Sequence, residues 1–275
     1  MKTHVLSLIL LVIFNCSSIA QSLTKVWTNS EGIKTPESVL YDATSNLIYV
    51  SNINGQPSDK DGNGFISTLD PDGKTIDREW VKGLNAPKGQ AIFRGNLYVS
   101  DIDELVVISI EQAKIIDRFK VENAKFLNDV TVSEDGIVYI SDSQDNKIYK
   151  LSDHKLSLWL ENKLLDNPNG LWAEKGQLYI GTKQILQVDT QTKKISVLAE
   201  NCGGIDGLEK MKDGNFIYSN WPGRIFVTKG TESIKLLDTV DKKNSADIDW
   251  VQDKNLVLVP TFFGNGIEAY KLTLK

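Results

Sequence analysis

Histidine and cysteine are almost absent from this chain, which has two of each in 275 residues. One of each lies in the first twenty residues, so His154 and Cys202 stand alone in the rest of the chain. No internal disulfide can form beyond residue 20. Beyond residue 20, His154 is the one candidate for a histidine base, and it lies in a predicted turn. Cys202 has no histidine partner that could activate it as a nucleophile. A Gly-X-Ser-X-Gly elbow is also missing.

Basic clusters and long apolar runs are missing as well. The net charge is -5, and it becomes -6 when Lys2 is removed with the first twenty residues. This mildly acidic balance without a basic block argues against a nucleic-acid partner. After residue 20 no apolar run approaches the ~20 residues that cross a bilayer. We therefore expect no membrane span and a small-molecule partner.

The first twenty residues are typical of a signal peptide. Lys2 supplies the positive charge, residues 5–14 form an apolar run, and small residues precede Gln21. A run of ten is too short to span a bilayer, so we expect cleavage near Ala20 and a secreted or periplasmic protein. Cys16 raises a lipoprotein alternative, although Asn15 stands where such sites have a small residue.

An element of the form Leu-Tyr-Val-Ser-Asp recurs six times at a period near 40 residues. The copies are residues 46–52, 96–101, 137–142, 177–182, 215–220 and 255–260. Repeats of this length that contain strands and no helical spacing are typical of propeller blades. The sequence therefore predicts an all-β, six-bladed β-propeller with four-stranded antiparallel blades.

Each blade is predicted to run from an innermost strand A to an outer strand D. Strand A is expected to begin at Pro36, Pro87, Leu127, Pro168, Ile205 and Ala246. The last blade ends after its third strand, while residues 23–27 precede the first strand A without a partner. We expect this N-terminal strand to pair with residues 267–272 and close the ring, since an open ring leaves free edges. Residues 21–275 then form one domain.

The second position of every strand A is polar or charged. In chain order the residues are Glu37, Lys88, Asn128, Asn169, Asp206 and Asp247. Residues that repeat at blade period point the same way, so these six are expected to form one ring around the channel. Hard oxygen ligands of this kind suit calcium, but a water-filled channel would also be lined by polar side chains.

Four short motifs resemble those of the regucalcin and gluconolactonase family of six-bladed propellers. They are Pro36-Glu37-Ser38, Asn128-Asp129, Pro168-Asn169-Gly170-Leu171 and Ile205-Asp206-Gly207. The resemblance covers the whole predicted propeller. It implies that Glu37, Asn128, Asn169 and Asp206 hold one calcium-type cation, with Zn²⁺, Mn²⁺ or Mg²⁺ as alternatives. Lys88 and Asp247 depart from the family pattern, and we consider both as substrate-binding residues.

A metal-assisted route is the hydrolytic mechanism that these residues leave open. The ion would polarise a lactone or ester carbonyl, and Asp206 is the candidate general base. Trp221 and Phe262, on loops of the same face, could form aromatic walls for a small substrate or could simply pack those loops. The alternatives are a non-enzymatic propeller that binds a small ligand or protein, and a metal-free enzyme resembling strictosidine synthase.

A second calcium loop is a further hypothesis. Asp59, Asp61 and Asn63 alternate before a glycine, and Asp70 stands at the twelfth position. A Gly/Asp-rich hairpin turn explains the same residues, because Asp70 is shorter than the usual glutamate and a strand follows where a helix would be expected.

Overall fold

Six four-stranded antiparallel sheets form the fold, as the repeats predict. The computed structural model describes residues 21–273, and the predicted signal peptide lies outside the described residues. Blades 1 to 3 contain β2 (Pro36–Asp42), β3 (Leu47–Asn52), β4 (Gly64–Leu69) and β5 (Thr75–Leu84); β6 (Pro87–Phe93), β7 (Asn96–Asp101), β8 (Glu104–Ser109) and β9 (Lys114–Lys120); and β10 (Leu127–Val132), β11 (Val138–Asp142), β12 (Lys147–Ser152) and β13 (Lys155–Glu161).

The other three blades repeat this order. They contain β14 (Leu171–Glu174), β15 (Gln177–Gly181), β16 (Ile185–Asp189) and β17 (Ile195–Ala199); β18 (Leu208–Lys210), β19 (Phe216–Asn220), β20 (Arg224–Lys229) and β21 (Glu232–Asp238); and β22 (Asp249–Val251), β23 (Leu256–Pro260), β24 (Ile267–Thr273) and β1 (Ser22–Asn29). Two single-turn 3-10 helices, Gln252–Lys254 and Phe262–Gly264, lie in blade 6. Within the described part of the chain no helix has the length and apolar character to cross a bilayer.

The hydrophobic core is divided among the six junctions between neighbouring blades. In the junction of blades 1 and 2, for example, Ile66 and Val99 are fully buried and Tyr49 packs on Trp80 with ring centroids 5.0 Å apart. The junction of blades 3 and 4 repeats this with Tyr139. The Leu-Tyr-Val-Ser-Asp strand is buried on both faces because its blade lies between two others. Each buried aliphatic side chain there contributes about 1.5–3 kcal/mol.

The N-terminal strand closes the ring, as predicted. β1 pairs antiparallel with β24 from Ser22 opposite Thr273 to Asn29 opposite Ile267, with one bulge near Trp27. Glu268 on β24 accepts a hydrogen bond from Lys25 on β1 at 2.7 Å and pairs with Lys243 as well. The first and last described strands therefore belong to one sheet.

The innermost strands of blades 4 to 6 begin later than predicted, at Leu171, Leu208 and Asp249. Hydrogen bonds to the second strand nevertheless begin before these residues. In blade 5, for example, the Asp206 amide donates to Ser219 O at 2.9 Å. In these blades the regular β-sheet hydrogen bonding is interrupted just after the ring residue. In blades 4 and 5 a glycine stands there, and Gly170 has no room for a Cβ beside Asp206 O.

Candidate functional site

The six ring residues stand at equivalent positions of the six blades, at the second residue of β2, β6 and β10 and two residues before β14, β18 and β22. Five of them are between 1 % and 8 % exposed: Glu37, Lys88, Asn128, Asp206 and Asp247. Asn169 is partly exposed. Solvent therefore reaches the ring mainly on the side of blade 4.

Hydrogen bonds join the ring from blade to blade. Two of them use ring side chains: Asn169 Nδ2 donates to Asp206 Oδ1 (3.0 Å) and Ser38 Oγ donates to Asp247 Oδ2 (2.6 Å). The bond from Asn128 Nδ2 to Ser143 Oγ (3.1 Å) lies within blade 3. The Asp247 amide also donates to Glu37 O at 2.9 Å, which joins blade 6 to blade 1. The ring residues are thus held in fixed relative positions.

Two buried oxygens of the ring lack a hydrogen-bond partner among the described residues. They are Glu37 Oε2 and Asn169 Oδ1. The Asn169 side-chain nitrogen donates to Asp206, so the side-chain oxygen of Asn169 is the atom that remains available to a ligand. A buried polar atom left without a partner costs about 1–3 kcal/mol, which makes such atoms candidates for binding a ligand.

The ring carboxyl groups hold their protons more strongly than usual. Burial raises the pKa of Asp206 from 3.8 to about 7, although the bond from Asn169 opposes this. Burial, and then repulsion from Asp206, raises the pKa of Glu37 well above its ordinary value. Burial raises the pKa of Asp247 too, with repulsion from Asp129 and Glu37. A cation between these groups would relieve both the desolvation and the repulsion.

Lys88 brings the one basic side chain of the ring. Its Nζ donates to Ala86 O at 3.0 Å and lies 4.5 Å from the centroid of the Phe126 ring. No carboxylate of residues 21–273 lies within 4.0 Å of it, and Asp247 accepts a bond from Ser38 instead. Burial lowers the Lys88 pKa to about 8, against the attraction of Glu37 and Asp101.

An apolar cluster, which we call the roof, covers the mouth above blades 6, 1 and 2. Its members are Ile53, Ala86, Ile102, Ala246 and Phe262. Phe262 is buried there, so its ring faces the roof and not the solvent. Two members have left-handed backbones, Ile102 at φ 61° and Phe262 at φ 46°. This conformation is unusual for bulky residues and is retained where the surroundings enforce it.

Trp221 is the more accessible of the two predicted aromatic walls. It is 42 % exposed and contacts Phe262 and Phe263 edge-on, at centroid distances of 5.7 and 5.9 Å. Trp221 and the partly exposed Asn169 lie outside the roof. Beside blade 4 the same face has a cleft of about 520 Å³, lined among others by Thr182, Lys183 and Gly203.

Three further acids lie along the channel, and the sequence analysis did not assign them. Burial raises the pKa of Asp129 to about 8 and that of Asp249 to about 7. Burial and repulsion from these two raise the pKa of Glu209 well above its ordinary value. Asp129, Glu209 and Gln90 line a cavity of about 130 Å³. Only Asp249 carried a signal in the sequence, since it lies between two apolar residues, Ile248 and Trp250.

The predicted second calcium loop does not come together. Asp61 binds Asn63 within the β3–β4 loop, whereas Asp70 caps the β4–β5 turn through the amides of Asp72 and Lys74. The six-residue strand β4 separates the two groups, and at ~3.3 Å per residue this is about 20 Å. His154 is likewise remote from the ring, exposed at the turn between β12 and β13.

The residues of the ring fit a calcium-type cation. Glu37, Asn128, Asn169 and Asp206 offer only oxygen ligands, and two of them carry the unpartnered buried oxygens. No group of three or more His, Cys, Asp or Glu side chains in residues 21–273 is arranged to hold a metal by itself. A cation here would therefore depend on the two asparagines.

No protein-family model and no curated protein sequence matches this chain. Several solved structures share its fold. Streptogramin B lyase aligns with a TM-score of 0.67 at 13 % identity, over 92 % of this chain and 98 % of that one. A candidate gluconolactonase aligns at 0.65 and 13 %, over 94 % of each chain. A luciferin-regenerating enzyme aligns at 0.63 and 16 %, over 93 % and 96 %. At such identities the likeness shows the fold alone.

Proposed function

We propose that this chain is a divalent-cation-dependent hydrolase of a lactone or ester, exported from the cytoplasm. The observation that carries the proposal is the pair of unpartnered buried oxygens on Glu37 and Asn169, beside an Asp206 whose proton affinity is raised. The name of the gluconolactonase-like structure supports the choice of substrate class. Calcium is the best match, because all four ligands are oxygens; Mg²⁺, Mn²⁺ and Zn²⁺ are the alternatives.

Glu37, Asn128, Asn169 and Asp206 would hold the cation. When bound, it would supply Lewis acidity to the substrate carbonyl and to the attacking water. Asp206 accepts the proton of that water, and the bond from Asn169 to Oδ1 keeps its carboxyl group oriented. The roof keeps bulk water from blades 6, 1 and 2, which strengthens the interactions of charges inside the ring. Trp221 lies beside the open approach and would contact the substrate.

The test combines metal analysis with an activity panel. The purified protein is stripped with EDTA and titrated with Ca²⁺, Mg²⁺, Mn²⁺ and Zn²⁺, then assayed on gluconolactone, an aryl ester and an organophosphate. We expect one bound ion per chain and hydrolysis that is lost with EDTA and restored by the ion. Product mass separates hydrolysis, which adds one water, from elimination, which adds none.

Two ring variants separate binding from chemistry. Asp206→Asn keeps an oxygen ligand but removes the proton acceptor, so we expect hydrolysis to fall by roughly 10²–10⁴ with a smaller loss of ion. Glu37→Gln should lose mainly the ion, and Asp61→Asn, on an exposed loop, is the control. Nearly wild-type activity in Asp206→Asn would remove Asp206 as the base. A wild type that holds its ion and hydrolyses nothing would favour a binding protein, and one that holds no ion would favour a metal-free enzyme.

Export is tested separately by mass spectrometry of the protein purified from its native host. We expect its first residue to be Gln21. A chain that retains residues 1–20 would contradict this part of the proposal and leave the hydrolase part unaffected.

A further inference from the structure

Lys88 contributes little to holding the propeller together. Its single side-chain hydrogen bond in the described residues goes to Ala86 O, two positions earlier in the same blade. Asn169 and Ser38, at the same level, instead bond to a neighbouring blade. Burying an amine with one neutral acceptor disfavours folding, because its lost hydration is not replaced by an ion pair. The stability of the fold therefore does not explain why a lysine stands at this position.

The amine of Lys88 lies on the mouth side of the ring. Its hydrogen-bond acceptor Ala86 precedes strand β6, and the aromatic ring under it belongs to Phe126, which precedes β10. Ala86 stands two residues before Lys88, and Phe126 stands two residues before Asn128, so both lie closer to the mouth. Ala86 is also part of the roof. A substrate entering the mouth would meet this amine before it reached the lower channel.

The charge of the ring gives the amine a role once a divalent cation is bound. Glu37, Asp206 and Asp247 supply three carboxylates when ionised, and Lys88 and one divalent cation supply three positive charges. The ring is then neutral, and the Lys88 ammonium still has no carboxylate of residues 21–273 within 4.0 Å. The most favourable additional ligand is a small anion that touches both cations.

We propose that the Lys88 ammonium stabilises the oxyanion formed during hydrolysis and then binds the carboxylate of the product. This inference rests on the proposed function. Water adds to the carbonyl carbon, the carbonyl π electrons move to oxygen, and the proton goes to Asp206. The oxyanion electrons then reform the carbonyl as the C–O bond breaks, and the leaving alkoxide takes that proton, which gives a carboxylic acid and an alcohol. The acid releases its remaining hydroxyl proton to solvent and becomes a carboxylate. Negative charge therefore lies on the oxygen beside Lys88 in the tetrahedral intermediate and again in the deprotonated product, and a fixed cation at that position lowers the barrier to forming the intermediate.

Binding of simple carboxylates tests the inference without turnover. Acetate and gluconate are titrated calorimetrically into wild type, Lys88→Met and Lys88→Arg, each with calcium and with EDTA. Methionine fills the buried space without charge, and arginine keeps the charge. We expect Lys88→Met to bind both carboxylates at least about tenfold more weakly, as loss of a charge-assisted hydrogen bond implies, while Lys88→Arg retains most of the affinity.

Calcium titration of the same variants separates the two proposals. Lys88→Met should bind calcium as tightly as wild type or more tightly, because a like charge has been removed from the ring. Absence of calcium binding in wild type would defeat the proposed function, and the comparison in EDTA then decides the role of Lys88. If wild type binds calcium, equal carboxylate affinity of wild type and Lys88→Met in the presence of calcium overturns the inference, as does a wild type that binds neither carboxylate.

Discussion

Asp206→Asn is expected to stabilise the cation-free protein at alkaline pH. The pKa of Asp206 is about 7 in the fold and 3.8 ordinarily. An acid whose pKa is raised keeps its proton in the folded state after the unfolded chain has lost it. The free energy of unfolding therefore falls by about 1.4 kcal/mol per pH unit between these values, roughly 4 kcal/mol over three units. Below pH 4 the effect disappears, because both states are protonated.

Asparagine has nearly the shape of aspartate, still accepts the bond from Asn169, and does not ionise. In EDTA at pH 8 we therefore expect the variant to be more stable than wild type by roughly 2–4 kcal/mol, and at pH 4 equally stable. Saturating calcium should reverse the order, since the carboxylate binds the ion more tightly and binding to the folded state stabilises it. The measurement is urea denaturation at both pH values, with EDTA and with calcium.

Asp249→Asn is the matched control. Asp249 is buried with a pKa of about 7, and it accepts a bond from the Tyr41 amide that asparagine can also accept. It should show the same stabilisation in EDTA at pH 8 but no reversal by calcium, because it lies outside the ring. A stability difference between wild type and Asp206→Asn that does not change with pH would refute the electrostatic reasoning. A reversal by calcium in both variants would refute the assignment of the ligands.

Three further results are expected. Deletion of residues 21–28 removes β1 with Leu23 and Trp27 and should cost roughly 3 kcal/mol or more, or about 6–12 °C in Tm by circular dichroism; an unchanged melting curve would refute the closure. Gly170→Ala should lower the free energy of unfolding by about 1–3 kcal/mol in urea denaturation and weaken calcium binding, because the added Cβ would lie 2.5 Å from Asp206 O. The control is Gly55→Ala, whose Cβ has its nearest contact at 3.5 Å and should change neither quantity. Asp61→Asn should leave the calcium stoichiometry unchanged, and loss of one equivalent would show that the β3–β4 loop does bind an ion.

The architecture could be predicted from the sequence because one strand type carries it. The Leu-Tyr-Val-Ser-Asp strand is buried on both faces in every blade, so the same residues are needed at each repeat. The predicted ring rests on the same reasoning, since Glu37 and its five counterparts occupy one repeated position. Residues 23–27 could be assigned to blade 6 because they were the one strand-like segment without neighbours in their own blade.

The direction of side chains after a bulge could not be predicted. The pairing of β10 with β11 shifts register between Leu127 and Val130, and this turns Asp129 toward the channel. A one-residue shift moves a side chain to the other face of a strand, and single-sequence patterns do not show it. The burial of Phe262 depends on its left-handed backbone and on Ile53 and Ile102, which are distant in sequence.

The pairing of β1 with β24 also sets the order in which the molecule can be completed. Lys25 and its partner Glu268 are 243 residues apart, so the first strand to be synthesised waits for the last. At roughly 5–20 residues per second this interval is about 12–50 s. During it five blades can form from local hairpins while β1 stays unpaired, and once β24 is made its edge is open until β1 binds it. A second copy can insert its own β1 at that edge, so crowded refolding should favour dimers that exchange their N-terminal strands over misfolded single blades.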